Sequence, residues 1–287
     1  MIGESASKTR GCLFIVATPI GNLRDVSYRA IDVLAQADLV LVEDTRHSRR
    51  LFNHYKLAPR LLSLHEHNER QRIATVTTHI DSGARVALVS DAGTPLISDP
   101  GFALVKAMRD IGIQVIPIPG PNAAIAALSV AGLPTDRFAF EGFLPARAPA
   151  RRECLGQLAN EQRTLVFYES GRRVAALLDD IALIFDPDRM LSIAREMTKR
   201  FEEFFTGNVS AGLAWFGAQS QRAKGEFVVV VQGCPHDNRV GPRETKVLRR
   251  LLDSLSVKQS VAIAADLTGC RKQELYRLAL TLRDADD

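Results

Sequence analysis

Glu43-Asp44-Thr45-Arg46-His47 packs two carboxylates, a hydroxyl, a guanidinium and an imidazole into five consecutive residues, directly after the apolar run Leu39–Val42. Such a set can grip a phosphate through the arginine and accept or orient a proton through Glu43, Asp44 or His47. The same residues also suit the start of a helix, with Asp44 or Thr45 as its cap. A second dense polar set, Arg195, Glu196, Thr198 and Lys199, follows the apolar run at residues 190–194.

Glycine- and proline-rich loops surround these sets. TPIGNL (residues 18–23) offers backbone N–H groups between a strand-like run and a helix start, a place that can receive an anion, although a tight turn explains it equally. SDAGTPLISDPG (90–101) combines turns with hydroxyls and two aspartates, and its glycines let a ligand approach the backbone. PGPNAA (119–124) sets Asn122 at a helix start followed by small residues, which leave room for a flat ring or for close helix–sheet packing. FEGFLP (140–145), VFYES (166–170) and the Lys-Gly-Glu turn at 224–226 complete the series. None is a GK[ST] phosphate loop or a GxGxxG dinucleotide fingerprint, so triphosphate hydrolysis is not expected.

The elements that must position these loops are strands alternating with helices. Apolar runs at 13–17, 39–42, 85–89 and 114–118 read as strands. Helices are expected at 102–111 and 123–131, and another after Asp25, which would cap it. Loops at strand ends in an open α/β sheet gather into one site. The pattern breaks at 133–137 and resumes with strands at 138–140, 164–168, 190–194 and 227–232. The expected fold class is therefore α/β: a first domain over 13–135, a second over 138–233 and a helical tail over 243–287. Residues 1–12 are expected to form a disordered lead, 146–152 an exposed basic loop and 237–242 a polar link. Within the tail, two helices joined at Thr268-Gly269 have a helix-turn-helix outline.

Composition narrows the class. The chain has 287 residues and a net charge of +4, too small an excess to indicate nucleic acid by itself. Its distribution says more: Arg46, Arg49 and Arg50 form one cluster, Arg147, Arg151 and Arg152 a second, and Arg243, Lys246, Arg249 and Arg250 a third. Such clusters match phosphate spacing or a solvated helix face. Cys12, Cys154, Cys234 and Cys270 show no metal spacing, and His65 and His67 lack a third ligand, so no metal is expected. No apolar stretch approaches the roughly 20 residues that span a bilayer, and a cytoplasmic protein is expected.

Taken in order, TPIGNL, EDTRH, SDAGTPLISDPG, PGPNAAIAALSVAGLP, FEGFLP, VFYES, AREMTK and KGE resemble the ribosomal RNA small subunit methyltransferase I family. This is a branch of the tetrapyrrole (corrin/porphyrin) methylase superfamily, and the likeness runs from about residue 13 to 233, with the tail also similar. The resemblance implies two α/β domains with S-adenosyl-L-methionine between them and 2′-O-methylation of a cytidine in the decoding region of 16S rRNA, within the small ribosomal subunit. It also implies a homodimer. By motif, the cofactor would meet Gly93, Thr94, Pro95, Ser98, Asn122, Ala123, Tyr168, Glu169, Gly225 and Glu226. The loops carrying Asn22, Arg46, His47, Arg49 and Arg50 would face RNA, with Arg147, Arg151 and Arg152 as further RNA contacts. Porphyrin-methylating members carry Gly-Asp-Pro and an aromatic where this chain has Gly93-Thr94-Pro95, which favours RNA over a tetrapyrrole.

Residue type and loop position suggest Asp44 or Glu196 as proton acceptor, Lys199 as stabiliser of a developing alkoxide and Arg46 as a phosphate grip. The alternatives are a tetrapyrrole methylase and a ribosome-assembly factor that holds the cofactor without turnover.

Overall fold

The computed structural model of the chain describes residues 10–234 and 241–284. The expected lead lies outside the described residues over 1–9, and the expected link over 237–240. The chain divides into two compact units, the first running to Gln232 and the second from Gly233.

The first unit holds two five-stranded sheets. Cys12–Val16 (β1), Leu39–Val42 (β2), Leu61–Ser63 (β3), Arg85–Val89 (β4) and Gln114–Ile118 (β5) form a parallel sheet in the order β3-β2-β4-β1-β5. The inner strands β2 and β4 are buried on both faces, which is why they read as apolar runs, while the edge strands β3 and β5 are partly exposed. Alternate residues divide between two cores. Leu39, Leu41, Val86 and Leu88 pack with Glu69–Asp81 (α3) and Phe102–Asp110 (α4). Val40, Val42, Ala87 and Val89 pack with Tyr28–Ala35 (α1) and Thr45–His54 (α2).

Register decides where the loops go. Val16 lies level with Val89 on one side and Ile118 on the other, and Leu41 with Leu88. The loops that follow β1, β2, β4 and β5 therefore leave from a single edge of the sheet. The order reverses around β1, at the kind of switch point where open α/β sheets bind ligands.

The second sheet contains Phe138–Phe143 (β6), Thr164–Ser170 (β7), Met190–Arg195 (β8), Glu203–Asn208 (β9) and Glu226–Val231 (β10), in the order β6-β7-β10-β8-β9. Only the β6–β7 pair is parallel. One face packs on Ala148–Leu158 (α6), Val174–Ile184 (α7) and Val209–Gly217 (α8), around Phe167, Ile193 and Val229. The other face is covered by Ala123–Val130 (α5), whose Ala124, Ala127 and Leu128 meet Val166, Val228 and Val230 together with Ile20 and Met197. The small residues of α5 thus serve close helix–sheet packing, and that shared core fixes one sheet against the other.

Three expectations change. Ser27, not Asp25, caps α1: its hydroxyl accepts the Ala30 N–H at 3.1 Å, while Asp25 sits in the short turn Leu23–Asp25. Strand β9 was hidden in a run of mixed polarity. The basic stretch at 146–152 is not a loop, because α6 begins at Ala148 with Pro149 in its first turn, where proline is tolerated.

The helix also removes Arg151 from the expected RNA contacts. Arg151 is 4% exposed, its Nε lies 2.7 Å from Asp180 Oδ2, and a second nitrogen donates to the Ala146 carbonyl. Arg152 holds the other Asp180 oxygen at 2.6 Å. Burial alone would raise the Asp180 carboxyl, but the two guanidiniums hold it below the usual range.

In the second unit Pro242–Leu252 (α9), Val257–Thr268 (α10) and Lys272–Asp284 (α11) surround Leu248, Val261, Ala264, Leu275 and Ala279. A reciprocal Ser256–Gln259 cap starts α10, and Gly269 ends it in the left-handed conformation, at the expected turn. Lys246, Arg249 and Arg250 are exposed on α9.

Removing the partner of a buried guanidinium leaves an uncompensated charge. Asp180→Ala is therefore expected to cost about 3–5 kcal/mol of folding stability, read from urea denaturation.

Candidate functional site

The TPIGNL and SDAGTP loops are laced together across the sheet edge. The Thr18 N–H donates to the Gly93 carbonyl at 2.8 Å, the Gly93 N–H returns the bond at 3.1 Å, and the Thr18 hydroxyl donates to the Ser90 carbonyl. The other end of TPIGNL meets the second sheet's Met197-Thr198-Lys199 turn, where the Asn22 N–H donates to Thr198 Oγ1 at 3.0 Å. The close approach explains Gly21. A β-carbon there would stand 2.5 Å from Lys199 Cγ and 2.7 Å from Thr198 Oγ1.

Between these loops lie two adjoining spaces. The first, about 360 Å³, is lined by Gly93, Thr94, Ser98, Asp99, Asn122, Ala123, Tyr168 and Glu169, with Ile97, Phe143, Met197 and Phe227 supplying apolar wall. The second, about 740 Å³, is a polar cleft lined by TPIGNL, by His47, Arg50 and His54 from α2, and by Thr198 and Arg200. Ile20, Asp91, Ala92, Lys199 and Glu226 border both. Such sizes suit small ligands or parts of larger ones.

The charges lining the first cavity are mainly acidic: Asp91, Asp99, Glu169 and Glu226, against Lys199. A wall of this kind repels phosphate and favours a cationic ligand. Asp99 is raised to about 6, first by burial; a hydrogen bond from Ser90 opposes the shift, and the charges of Glu43 and Asp91 add to it. Burial also raises Glu43, helped by Asp91. The Tyr168 hydroxyl accepts the Ala124 N–H at 3.0 Å, and burial pushes its proton affinity up. Glu169 is buried, with one oxygen accepting the Ser170 N–H and the other 3.1 Å from Arg173.

Lys199 is the cation of the site. Its ammonium lies 2.9 Å from Glu196 Oε1 and 2.7 Å from Glu226 Oε2. Burial would lower its pKa, but the bonds to Glu226 and Glu196 reverse this and hold it above the ordinary lysine value. Burial likewise raises Glu196, yet Lys199 and the Glu226 N–H bring it below the usual range. Gly225, at φ +102, gives Glu196 its place, since a β-carbon there would lie 2.6 Å from Glu196 Cγ.

Strain gathers around the same loops. Leu96, Ser98, Glu196 and Thr198 have φ of 73, 68, 49 and 66 degrees. Positive φ at non-glycine residues costs about 1–3 kcal/mol each and persists only where surroundings enforce it.

The expected residues divide accordingly. Gly93, Thr94, Ser98, Asn122, Ala123, Tyr168, Glu169 and Glu226 line the first cavity, whereas Pro95 and Gly225 are not among its lining residues. Asn22, His47 and Arg50 line the cleft, while Arg46 and Arg49 are exposed on α2. Arg147, which caps α6, and Arg152 on α6 are exposed and border neither space.

Asp44 and Glu196, expected as proton acceptors, also border neither space. Asp44 caps α2, where the Arg46 N–H at 2.7 Å holds its carboxyl below the usual range. Both carboxylates are engaged and weakly basic, a poor state for taking a proton. Asp91 and Asp99 were visible in SDAGTPLISDPG as residue types. Only the fold shows that both line the first cavity and that Asp91 also borders the cleft.

Asp99 carries a testable linkage. Its folded pKa exceeds its unfolded one, so its contribution to stability is present below about 3.8 and lost as pH rises through about 6. Asp99→Asn is expected to flatten the fall in stability over that window by about 1 kcal/mol after solvent screening, measured by urea denaturation across pH.

Comparison with known proteins agrees with this architecture. Residues 12–211 match the family Tetrapyrrole (Corrin/Porphyrin) Methylases, and residues 241–283 match the RsmI C-terminal HTH domain. The Ribosomal RNA small subunit methyltransferase I of Escherichia coli O157:H7 is 45% identical over 96% of this chain and 97% of its own. That of Pseudomonas aeruginosa is 48% identical over 94% and 97%. Among solved structures, uroporphyrin-III C-methyl transferase from Thermus thermophilus, complexed with S-adenyl homocysteine, shares the fold at a TM-score of 0.50 and 16% identity, over 77% of this chain and 97% of that one. The chain belongs to the tetrapyrrole methylase family, in the branch of the ribosomal RNA small subunit methyltransferases I.

Proposed function

We propose that the chain transfers a methyl group from S-adenosyl-L-methionine to the ribose 2′-oxygen of a cytidine in the decoding region of 16S rRNA, presented by the small ribosomal subunit. The observation that carries this reading is the shared wall. A cofactor-sized acidic cavity and a larger polar cleft meet at Ile20, Asp91, Ala92, Lys199 and Glu226, where a methyl group could pass from one to the other.

The cofactor supplies a methyl group already activated by the positive charge on sulfur. The first cavity fits it chemically: acidic side chains suit a sulfonium, and Ile97, Phe143, Tyr168 and Phe227 suit an apolar ring. Ser98, Asn122, Ala123 and the loop at Gly93 and Thr94 would hold its remaining polar groups, with Pro95 and Gly225 shaping the loops. In the cleft, Asn22, His47 and Arg50 receive the RNA, with Arg46 and Arg49 beside them on α2. Arg147 and Arg152, which border neither space, are further RNA contacts at the start of α6.

Positioning supplies most of the acceleration, because methyl and acceptor are held together. Lys199 lowers the energy of the developing alkoxide. Glu196 and Glu226 orient Lys199, and Asp44 acts through the fold of its loop. A relative that acts on a uroporphyrin offers the alternative of a tetrapyrrole substrate. Against it, the Thr94 hydroxyl donates to the Pro121 carbonyl at 3.0 Å, so an uncharged side chain is tied to the main chain there. The reading includes a homodimer. Among the described residues no helix is long and apolar enough to cross a membrane.

Labelled methyl transfer to methyl-deficient small-subunit particles, followed by mapping of the modified ribose, tests the reading. Label in a 16S rRNA ribose supports it. Label on a porphyrin alone, or bound cofactor with no transfer, contradicts it. Gly21→Ala, which drives a β-carbon into the Lys199 stem, is expected to slow transfer about 10- to 100-fold, a loss typical of misplacing a reacting group by an ångström.

A further inference from the structure

We propose that Asp91 is the proton acceptor of the reaction. This rests on the reading of the activity as methyl transfer to a ribose hydroxyl.

Asp91 stands in the turn that follows β4. It borders both the first cavity and the cleft, so it faces whatever passes between them. The other carboxylates are each disqualified by an observation. Asp99 and Glu169 line the first cavity alone, and Glu169 is already paired with Arg173. Glu226 borders both spaces but bonds to the Lys199 ammonium at 2.7 Å. Glu43, Glu196 and Asp44 border neither.

Asp91 itself makes no salt bridge among the described residues. Its one hydrogen bond there runs from the Asp44 N–H to Oδ1 at 3.3 Å, which orients the carboxylate and leaves Oδ2 open. Asp44, first read as the acceptor, thereby positions the group that is. Glu43 and Asp99, the acidic neighbours, both have raised proton affinities to which Asp91 contributes.

In the step, the ribose oxygen forms a bond to the methyl carbon as the carbon–sulfur bond breaks. The electron pair of that bond stays on sulfur, which becomes a neutral thioether. The hydroxyl proton goes to Asp91 Oδ2. Lys199, on the same shared wall, offsets negative charge on the oxygen until the new bond is complete.

Asp91→Asn, Asp91→Glu and the wild-type chain are compared in single-turnover transfer to methyl-deficient small-subunit particles, with cofactor affinity measured by calorimetry. Asparagine can still accept the Asp44 N–H, so the turn keeps its bond. Asp91→Asn is expected to slow transfer at saturating cofactor by about 100-fold or more, the usual worth of a general base, and to weaken cofactor binding by much less, although one acidic group leaves the cavity wall. Asp91→Glu keeps a carboxylate and is expected to recover at least about tenfold of that loss. A smaller loss in the Asn variant, an equal loss of cofactor affinity, or no recovery with Glu overturns the assignment. Failure of the wild-type chain to label any rRNA ribose overturns the activity itself and is thereby told apart from failure confined to Asp91.

Discussion

The ion cluster of Lys199 with Glu196 and Glu226 is the constraint on which the site depends. One ammonium bridges a carboxylate after β8 and another at the start of β10, so neighbouring strands agree on its place. Its stem lies against Gly21 at the end of the first sheet's leading loop. The bond to Glu196 is the shielded one, since the Glu196 side chain is 16% exposed and that of Glu226 is 72% exposed. It is also the point at which the first cavity and the cleft adjoin. In the proposed reaction the cluster positions the charge that offsets the developing alkoxide.

Around that point the chain holds strained backbone that the packing enforces. Glu196 and Thr198 adopt positive φ on one side of the cavity, and Leu96 and Ser98 on the other. Behind them the two sheets share a core in which α5 covers the second sheet with Ala124, Ala127 and Leu128, and Ile20 reaches in from TPIGNL. Close packing leaves these loops little freedom to relax, so the strain is maintained by burial elsewhere.

Much of this was legible in the sequence because buried parallel strands announce themselves. Leu39–Val42, Arg85–Val89 and Gln114–Ile118 are the strands that periodicity predicts, and the polar loops follow from them. Strand β9 was not legible, since its Glu, Thr, Gly and Asn mix polar and apolar residues on a half-exposed surface. Arg151 looked like one member of an exposed cluster. Its partner Asp180 lies 29 residues away on another helix, a distance that only packing closes. The family motifs named Gly93, Thr94, Ser98, Asn122, Ala123, Tyr168, Glu169 and Glu226 of the cavity wall. They gave no sign that Asp91 borders both spaces, that burial lifts Asp99 to about 6 or that Glu196 is bound to a lysine, because each depends on burial and neighbours. Residue type alone therefore favoured Asp44 and Glu196 as bases, and the geometry moves that role to Asp91.

The measurement closest to the centre of the account is a crystal structure of the chain with S-adenosyl-L-methionine bound. The account predicts the sulfonium at the wall of Ile20, Asp91, Ala92, Lys199 and Glu226, its methyl group directed into the cleft lined by Asn22, His47 and Arg50. A cofactor whose sulfur lies at the far end, beside Phe143 and Tyr168, with its methyl closed off from Asp91 and Lys199, would contradict it.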